Sequence, residues 1–312
     1  MKILVSGIAG DIGFGVGRIL QNLEFVSHVL GIDIHSNHPG SLLFDKCDVA
    51  PSAINSKYIP WLYDYLEKNE VDIFIPTSEA EIGLISSINK NDFSSTKILI
   101  SNEFMIDRCL SKNRCLNYLD SINIKIPKHG IVGKDLPSLF PIIIKPNSGR
   151  GSQNLMKIKS NIEFKSFLDT RPENFVWQQY LYPDDQEYTC ALFRNNKIDL
   201  RSLVIKRELS DGFTSKGEIV EDYEIENYIK KIAESFDLEG VMNIQLRLTD
   251  TGPVMFEINP RLSSTLVFRD LLGFKDLEWW ILSSIGKPIP SYIKPKKGTL
   301  FYRGTSELII EQ

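Results

Sequence analysis

Short apolar runs alternate with amphipathic stretches over the first third of the chain. The runs KILVSG (residues 2–7), VLGIDI (29–34) and VDIFIPT (71–77) have the unbroken hydrophobicity of strands that are buried on both faces. Stretches such as GFGVGRILQNL and YIPWLYDYLEKNE have the 3.6-residue period of helices. This alternation predicts a doubly wound parallel sheet over residues 1–110.

The pattern changes after residue 110. Strand-like runs such as FVWQQYL, EYTCALFRN and KIDLRSLVIKREL follow one another across short turns, which favours antiparallel pairing. The segment EIENYIKKIAESFDL predicts an amphipathic helix. The runs GVMNIQLRLT and GPVMFEINPR flank a turn at residues 250–252 and predict a hairpin. We therefore expect an α/β lobe followed by an α+β lobe.

Composition narrows the function classes without selecting one. The 312 residues are 42% hydrophobic and 24% charged, and a formal net charge of −4 creates no field that would attract nucleic acid or an anionic membrane. The four cysteines match no zinc or disulfide pattern and are expected to be free thiols. No signal-peptide pattern or membrane-spanning run is evident. A cytoplasmic protein with no nucleic-acid or membrane partner is expected.

The glycine pattern after the first strand resembles a dinucleotide-binding turn. Gly7, Gly10 and Gly13 follow that strand, and Asp33 ends the next one, where Rossmann folds place a ribose-binding carboxylate. An NAD(P)-dependent oxidoreductase or epimerase is one interpretation. A strand-to-helix turn that the fold needs without any nucleotide is the other.

A second glycine-bearing loop follows a strand that ends at Lys145. Glycines let backbone N–H groups approach phosphate oxygens, serine hydroxyls add donors, and the lysine supplies a point charge for the same anion. The residues of this predicted phosphate loop are Ser148, Gly149, Arg150, Gly151 and Ser152. The loop lacks the Walker spacing, and a flexible surface hairpin is the alternative.

The predicted hairpin carries oxygen ligands for a metal ion. Glu257 and Asn259 are two residues apart on one strand, so their side chains leave the same face, and Gln245 on the partner strand falls near Glu257. A carboxylate with amide oxygens suits Mg²⁺, which binds few protein ligands together with nucleotide phosphates. Arg261 has the forked donors that bind the same phosphates. A solvated sheet face is the alternative, although the apolar residues of the second strand do not alternate cleanly.

The segments PIIIKP, NSGRGS and VMFEINPR together resemble the ATP-grasp superfamily, most closely its carbamoyl-phosphate-synthase-like and carboxylate–amine ligase members. The resemblance covers essentially the whole chain, and VDIFIPTSEAEI resembles the final strand and loop of the pre-ATP-grasp domain. It implies an α/β plus α+β fold in three parts. These are a Rossmann-like pre-ATP-grasp domain (1–110), a small ATP-grasp lobe with the phosphate lid (111–181) and a large lobe with the metal hairpin (182–312).

The resemblance also implies nucleotide-binding roles. Lys112 stands where the family has a nucleotide-contacting lysine, although Ser111 replaces the usual aspartate. Lys145 matches the lysine on the α- and β-phosphates, residues 148–152 match the lid, and Glu187 matches the ribose-binding carboxylate. The residues that match the adenine-binding hinge are Gln178, Gln179, Tyr180 and Leu181, with Gln178 in place of a common glutamate.

The implied metal ligands are Gln245, Glu257 and Asn259, and the implied cofactors are ATP and Mg²⁺, with Mn²⁺ as a possible substitute. Arg261 matches an arginine near the transferring phosphate. After Arg261 the family commonly has a glycine-bearing loop at the acyl substrate, whereas LSSTLVF has no glycine.

The implied reaction is the phosphorylation of a carboxylate by ATP to an acyl phosphate, which an amine or ammonia then attacks. Metal ions and Lys/Arg groups neutralise the charge of the transferred phosphoryl group. Lys206 and Arg207 leave opposite faces of one strand, so one of the two is expected in the site. The expected partners are small-molecule carboxylates and amines, and a homodimer is left open. An NAD(P) enzyme would leave Lys145 and the Glu257–Asn259 pair without a role.

Overall fold

Three β-sheets organise the chain in the computed structural model, which describes residues 1–88, 93, 95–149, 155–170, 173–195, 198–304 and 308. None of the helices within these ranges is long and apolar enough to cross a membrane.

The N-terminal sheet is parallel throughout. Its strands are β1 (Lys2–Ser6), β2 (His28–Asp33), β3 (Lys46–Val49), β4 (Ile73–Ile75) and β5 (Lys97–Ile98). They lie in the order β3–β2–β1–β4–β5, so the chain leaves β1 first to one side and then to the other. The helical segments of this part are α1 (Asp11–Leu20), a 3₁₀ helix (Pro39–Leu42), α2 (Tyr58–Lys68), α3 (Glu79–Ser86) and α4 (Glu103–Cys109). The predicted doubly wound parallel sheet is confirmed.

The small sheet is antiparallel and has its own apolar core. Its strands are β6 (His129–Ile131), β7 (Ile142–Pro146), β8 (Met156–Ile158) and β9 (Phe175–Gln179), in the order β6–β9–β7–β8. Helix α6 (Asn161–Asp169) covers one face, where Phe164 packs with Ile142, Ile144 and Trp177. The opposite face therefore remains available for polar side chains.

The large sheet supplies most of the remaining structure. Its strands are β10 (Glu187–Asn195), β11 (Ile198–Ser210), β12 (Phe213–Val220), β13 (Gly240–Thr249), β14 (Gly252–Asn259) and β15 (Leu300–Tyr302). They are antiparallel, in the order β14–β13–β10–β11–β12–β15. The later helices are α5 (Lys112–Ser121), α7 (Tyr223–Ser235), α8 (Leu266–Leu271) and α9 (Asp276–Ser284). The predicted combination of a parallel α/β part with antiparallel sheets is confirmed.

The two faces of the large sheet join different cores. One face packs Ala191 and Leu203 into a cluster that also contains Ile3 and Val5 of β1. The other face packs Ile244 against helix α7 and against residues of α5 such as Leu116. Helix α5 lies in the segment predicted to open the small lobe, and its apolar side packs into the core of the large sheet.

Candidate nucleotide and metal site

The small and large sheets meet at Lys145, near the end of β7. Its Nζ donates a hydrogen bond to the carbonyl oxygen of Phe256 at 2.9 Å and lies 4.0 Å from the carboxylate of Glu257. The side chain is only 6% exposed. Burial lowers the pKa of Lys145 to about 8, and the negative charge of Glu257 partly opposes that shift. The ammonium group is thus largely dehydrated and able to bind an anion strongly.

A β-bulge in the hairpin places Glu257 on the face of Gln245. Leu246 pairs with Met255 and Gln245 pairs with Glu257, so Phe256 is the extra residue on β14. A regular ladder would have put Glu257 among the apolar residues on the other face of the sheet. The bulge explains why the apolar residues of β14 do not alternate, and Phe256 is also the residue whose carbonyl accepts the Lys145 hydrogen bond.

The three predicted metal ligands share this face, because Asn259 is two residues from Glu257 and pairs with Asn243. The carboxylate of Glu257 receives no hydrogen bond from any described residue. Burial would raise the pKa of Glu257, but nearby cations, Lys145 foremost, outweigh it and hold that pKa below its usual value. The carboxylate is therefore ionised and uncommitted, which fits a hard cation.

Amide oxygens must complete such a site. Within the described residues no three His, Cys, Asp or Glu side chains are grouped so that they could hold a metal ion. A cation at Glu257 would therefore rely on the amides of Gln245 and Asn259 and on oxygens of a ligand, which suits Mg²⁺ with nucleotide phosphates.

Arg207 shares this face, whereas Lys206 lies on the other one. The Nη2 of Arg207 donates to Gln245 Oε1 at 3.0 Å and to Glu187 Oε1 at 2.8 Å. Lys206 pairs with Tyr188 on one side and with Glu218 on the other, and Tyr188 belongs to the core that packs on α7. Of the two residues between which the sequence did not decide, Arg207 is the one that faces the predicted metal ligands.

Glu187, predicted to bind ribose, is held between two arginines. One of its oxygens accepts from Arg207, and the other accepts from Nη2 of Arg247 at 2.6 Å. Arg247 also donates to the carbonyl oxygen of Leu181 at 2.6 Å, which ties the hinge to the large sheet. Sequence reasoning missed Arg247, whose position on β13 two residues after Gln245 is the only signal for it.

The hinge presents Gln178 on the same face of the small sheet as Lys145. Gln178 pairs with Ile143, two residues before Lys145, whereas Trp177 points into the apolar core. The Gln178 side chain is 2% exposed and its Nε2 has no hydrogen-bond partner among the described residues. Next to it, Gln179 and Tyr180 are held by backbone hydrogen bonds to Lys128 and Pro141. An unpaired buried amide is suited to the edge of a heterocycle.

The phosphate loop starts beside Lys112. The Nζ of Lys112 donates a hydrogen bond to the carbonyl oxygen of Gly149 at 2.9 Å. The side-chain amide of Asn174 donates to the hydroxyl of Ser148. Ser111 caps helix α5 and also donates to Asn147, so the residue in place of the usual aspartate has a structural role. The remaining predicted lid residues, Arg150, Gly151 and Ser152, lie outside the described residues.

The loop after Arg261 is held by a buried arginine. Nη1 of Arg269 donates to the hydroxyls of Ser263 and Thr265, both at 2.7 Å, and its Nη2 pairs with Asp276 at 2.7 Å. Ser263 in turn donates to Asn243 at 3.0 Å. The hydroxyls that replace the expected glycine therefore anchor the loop from inside.

The first glycine turn is explained by packing. Gly7 has a φ of +64°, and a Cβ on Gly13 would lie 2.3 Å from the carbonyl oxygen of Gly7. Asp33 is buried and accepts hydrogen bonds from the backbone N–H groups of Ala9 and His35 at 2.9 and 3.0 Å. A cavity of about 440 Å³ lies beside this turn. The carboxylate that suggested a ribose ligand thus braces two loops of its own domain.

Comparison with known proteins agrees with this geometry. Residues 172–300 match the model of a family described as ATP-grasp in the biosynthetic pathway with Ter operon. The chain is 21% identical to the carbamoyl phosphate synthase large chain of Methanosphaerula palustris, over 82% of this chain and 28% of that protein. It therefore spans less than a third of the length of that curated relative.

Two solved structures share the fold. The N5-carboxyaminoimidazole synthetase of Staphylococcus aureus, solved with ADP, superposes with a TM-score of 0.76 at 16% identity over 96% of this chain and 81% of that one. The L-amino acid ligase of Bacillus licheniformis superposes with a TM-score of 0.70 at 11% identity over 91% and 74%. The parallel N-terminal sheet followed by two facing antiparallel sheets is the ATP-grasp architecture. Residues 172–300 thus match an ATP-grasp family, and the chain as a whole has the fold of the ATP-grasp superfamily.

Proposed function

We propose that the chain is an ATP- and Mg²⁺-dependent ligase that joins a carboxylate to an amine or ammonia through an acyl phosphate. The observation that carries the proposal is the contact between Lys145 and the Phe256–Glu257 segment. It joins a dehydrated cation on one sheet to an ionised, uncommitted carboxylate on the other. A polyphosphate with its cation is the ligand that requires both.

The nucleotide is proposed to lie between the two sheets. Gln178 binds the edge of the base with its unpaired amide, and Lys145 and Lys112 bind the phosphates near the start of the loop at Ser148. Glu187 positions Arg207 and Arg247 and has remaining lone pairs for the ribose hydroxyls.

Glu257, Asn259 and Gln245 are proposed to hold Mg²⁺, which when bound neutralises charge on the transferring phosphoryl group. A carboxylate oxygen of the substrate attacks the γ-phosphorus and ADP leaves. The amine nitrogen then attacks the acyl carbon, phosphate leaves, and the nitrogen loses a proton. Arg207 and Arg261 bind oxygens of the substrate and of the departing phosphate. The cavity of about 440 Å³ beside the first glycine turn, which Ser78 and Glu81 also line, offers room for the second substrate.

The experiment is an ADP-release screen of the purified chain over pooled carboxylates and amines, with Mg·ATP present. Release that needs one carboxylate pool and one amine pool supports the proposal, and Glu257→Gln is the matched inactive control. Thermal-shift measurements with Mg·ATP and with NAD(P) test the ligand class. Stabilisation by NAD(P) alone, without any response to Mg·ATP, would refute the proposed function.

A further inference from the structure

We propose that Glu79, in the N-terminal part of the chain, is a positioning residue of the phosphoryl-transfer site. It orients the guanidinium of Arg261 and, through it, the side-chain oxygen of Asn259. The inference rests on the proposed function and adds a residue to which neither the sequence motifs nor the family resemblance gave a role.

Arg261 connects the three residues directly. Its Nη2 donates to Glu79 Oε1 at 2.7 Å and to Asn259 Oδ1 at 3.3 Å, and its Nη1 donates to the carbonyl oxygen of Leu262 at 3.0 Å. Arg261 is 8% exposed, and its Nε has no partner among the described residues. Glu79 is the one described carboxylate in ion-pair contact with this buried guanidinium.

The backbone around Glu79 is well fixed. Glu79 opens helix α3 directly after the N-cap Ser78. Thr77 is held to Ser6 of β1 by two hydrogen bonds, and the buried carboxyl of Glu81 accepts from the hydroxyls of Ser6 and Tyr58. A carboxylate presented from such a segment has little freedom to follow Arg261, so Arg261 must follow it.

Two consequences for the metal ligands follow. The hydrogen bond from Arg261 fixes which end of the Asn259 amide carries the oxygen, and a second lone pair of that oxygen remains for a cation. Arg261 is also one of the cations that act on Glu257. Without the hydrogen bond to Glu79, Arg261 is free to move towards Glu257, and its charge would compete with Mg²⁺ for that carboxylate.

The test measures ADP affinity by calorimetry with and without Mg²⁺, because it requires neither of the unidentified substrates. The variants are Glu79→Ala, Glu79→Asp and Glu79→Gln, with Glu70→Ala as the control, since Glu70 forms an exposed ion pair with Lys2 in the same N-terminal part of the chain. The measured quantity is the factor by which Mg²⁺ increases ADP affinity. We expect Glu79→Ala and Glu79→Asp to lower this factor about tenfold. ADP affinity without Mg²⁺ should stay unchanged. Glu79→Gln should recover most of the loss because its amide oxygen still accepts from Arg261.

A double-mutant cycle with Arg261→Ala identifies the route. If Glu79 acts through Arg261, then Glu79→Ala should add no further loss in that background. Glu79→Asp and Glu79→Gln keep the test decisive should Glu79→Ala melt before binding can be measured. Wild-type Mg²⁺ dependence in all three Glu79 variants, or full additivity in the cycle, overturns the inference alone. A wild-type chain whose ADP binding ignores Mg²⁺ overturns the proposed function and the inference with it.

Discussion

Lys145 and Glu257 belong to different sheets, are 112 positions apart, and bring their charged groups to 4.0 Å from each other. Lys145 is buried and the Glu257 side chain is 23% exposed, so their charges act on each other with reduced screening. The carbonyl oxygen of Phe256 completes the contact by accepting from the lysine. The chemistry proposed for the chain depends on this one junction, and its two partners can be tested separately.

Replacing Glu257 should remove the metal function while the fold remains. We expect Glu257→Gln to lower Mg²⁺-dependent ADP release by about a hundredfold or more, because the only carboxylate of the ligand set is gone. Near-normal turnover would contradict the metal assignment. Glu257→Ala should have the same effect on turnover. Both changes leave the buried ammonium of Lys145 without its counter-charge, so both should also reduce thermal stability. Circular dichroism and a melting curve separate the two effects.

Nucleotide affinity should depend on the charge of Lys145. With its pKa lowered to about 8, mainly by burial, the free protein loses this positive charge as the pH rises through that value. ADP is fully ionised there, so its affinity should decline above about pH 8. Lys145→Arg does not titrate in this range and should bind ADP with a flat profile. The measurement is an ADP titration from pH 7 to about 9.5; parallel profiles for the two proteins would argue against the role of Lys145.

The same group should make stability depend on pH in the absence of nucleotide. The unfolded chain holds this proton up to about pH 10.5, whereas the folded chain releases it near pH 8. Between these values the unfolded state binds more protons, so the contribution of Lys145 to stability rises with pH, by about 3 kcal/mol over the whole window. Urea unfolding of wild type and Lys145→Met at pH 7.5 and 9.5 isolates this pH-dependent contribution of Lys145. The free energy of unfolding of wild type should increase relative to that of Lys145→Met between pH 7.5 and 9.5. The same difference between the two proteins at both pH values would disprove the linkage.

Glu187 should matter for stability before it matters for nucleotide binding. Glu187→Ala leaves Arg207 and Arg247 as neighbouring, mostly buried cations and should cost about 3 kcal/mol of the free energy of unfolding. Glu208→Ala, which breaks an exposed pair with Lys216 on the same sheet, should change it by less than about 1 kcal/mol. Denaturant unfolding of both variants provides the comparison. Equal, small effects would mean that the two arginines are hydrated.

Local patterns were sufficient to predict which side chains of the large-sheet hairpin share one face. Gln245 and Glu257 lie on one hairpin, and Lys145 lies near the end of a strand, so strand periodicity and turn position predicted side chains that the fold does bring together. The bulge at Phe256 was visible only as a defect in the apolar alternation. A period-2 pattern shows that a ladder is irregular but not where the extra residue goes.

Contacts between distant segments were beyond the sequence. The pair of Glu79 and Arg261 spans 182 positions, and nothing in either segment specifies the other. The choice between Lys206 and Arg207 likewise depended on which face of the large sheet meets the small one. The glycine turn was ambiguous in sequence for a related reason, because close approach of Gly13 to Gly7 requires the same residue pattern as a bound dinucleotide.

The apolar cluster that β1 shares with the large sheet has a consequence for how the molecule unfolds. Gly15 of α1 faces Leu266 and Val267 so closely that a methyl group there would lie 3.1 Å from both side chains. Residues of the first strand and of helix α9 belong to one apolar core, so removing residues 1–110 would expose the face of the large sheet that carries Ala191 and Leu203. We therefore expect these two parts to unfold as one cooperative unit, whereas the four-stranded sheet that carries Lys145 has a separate apolar core.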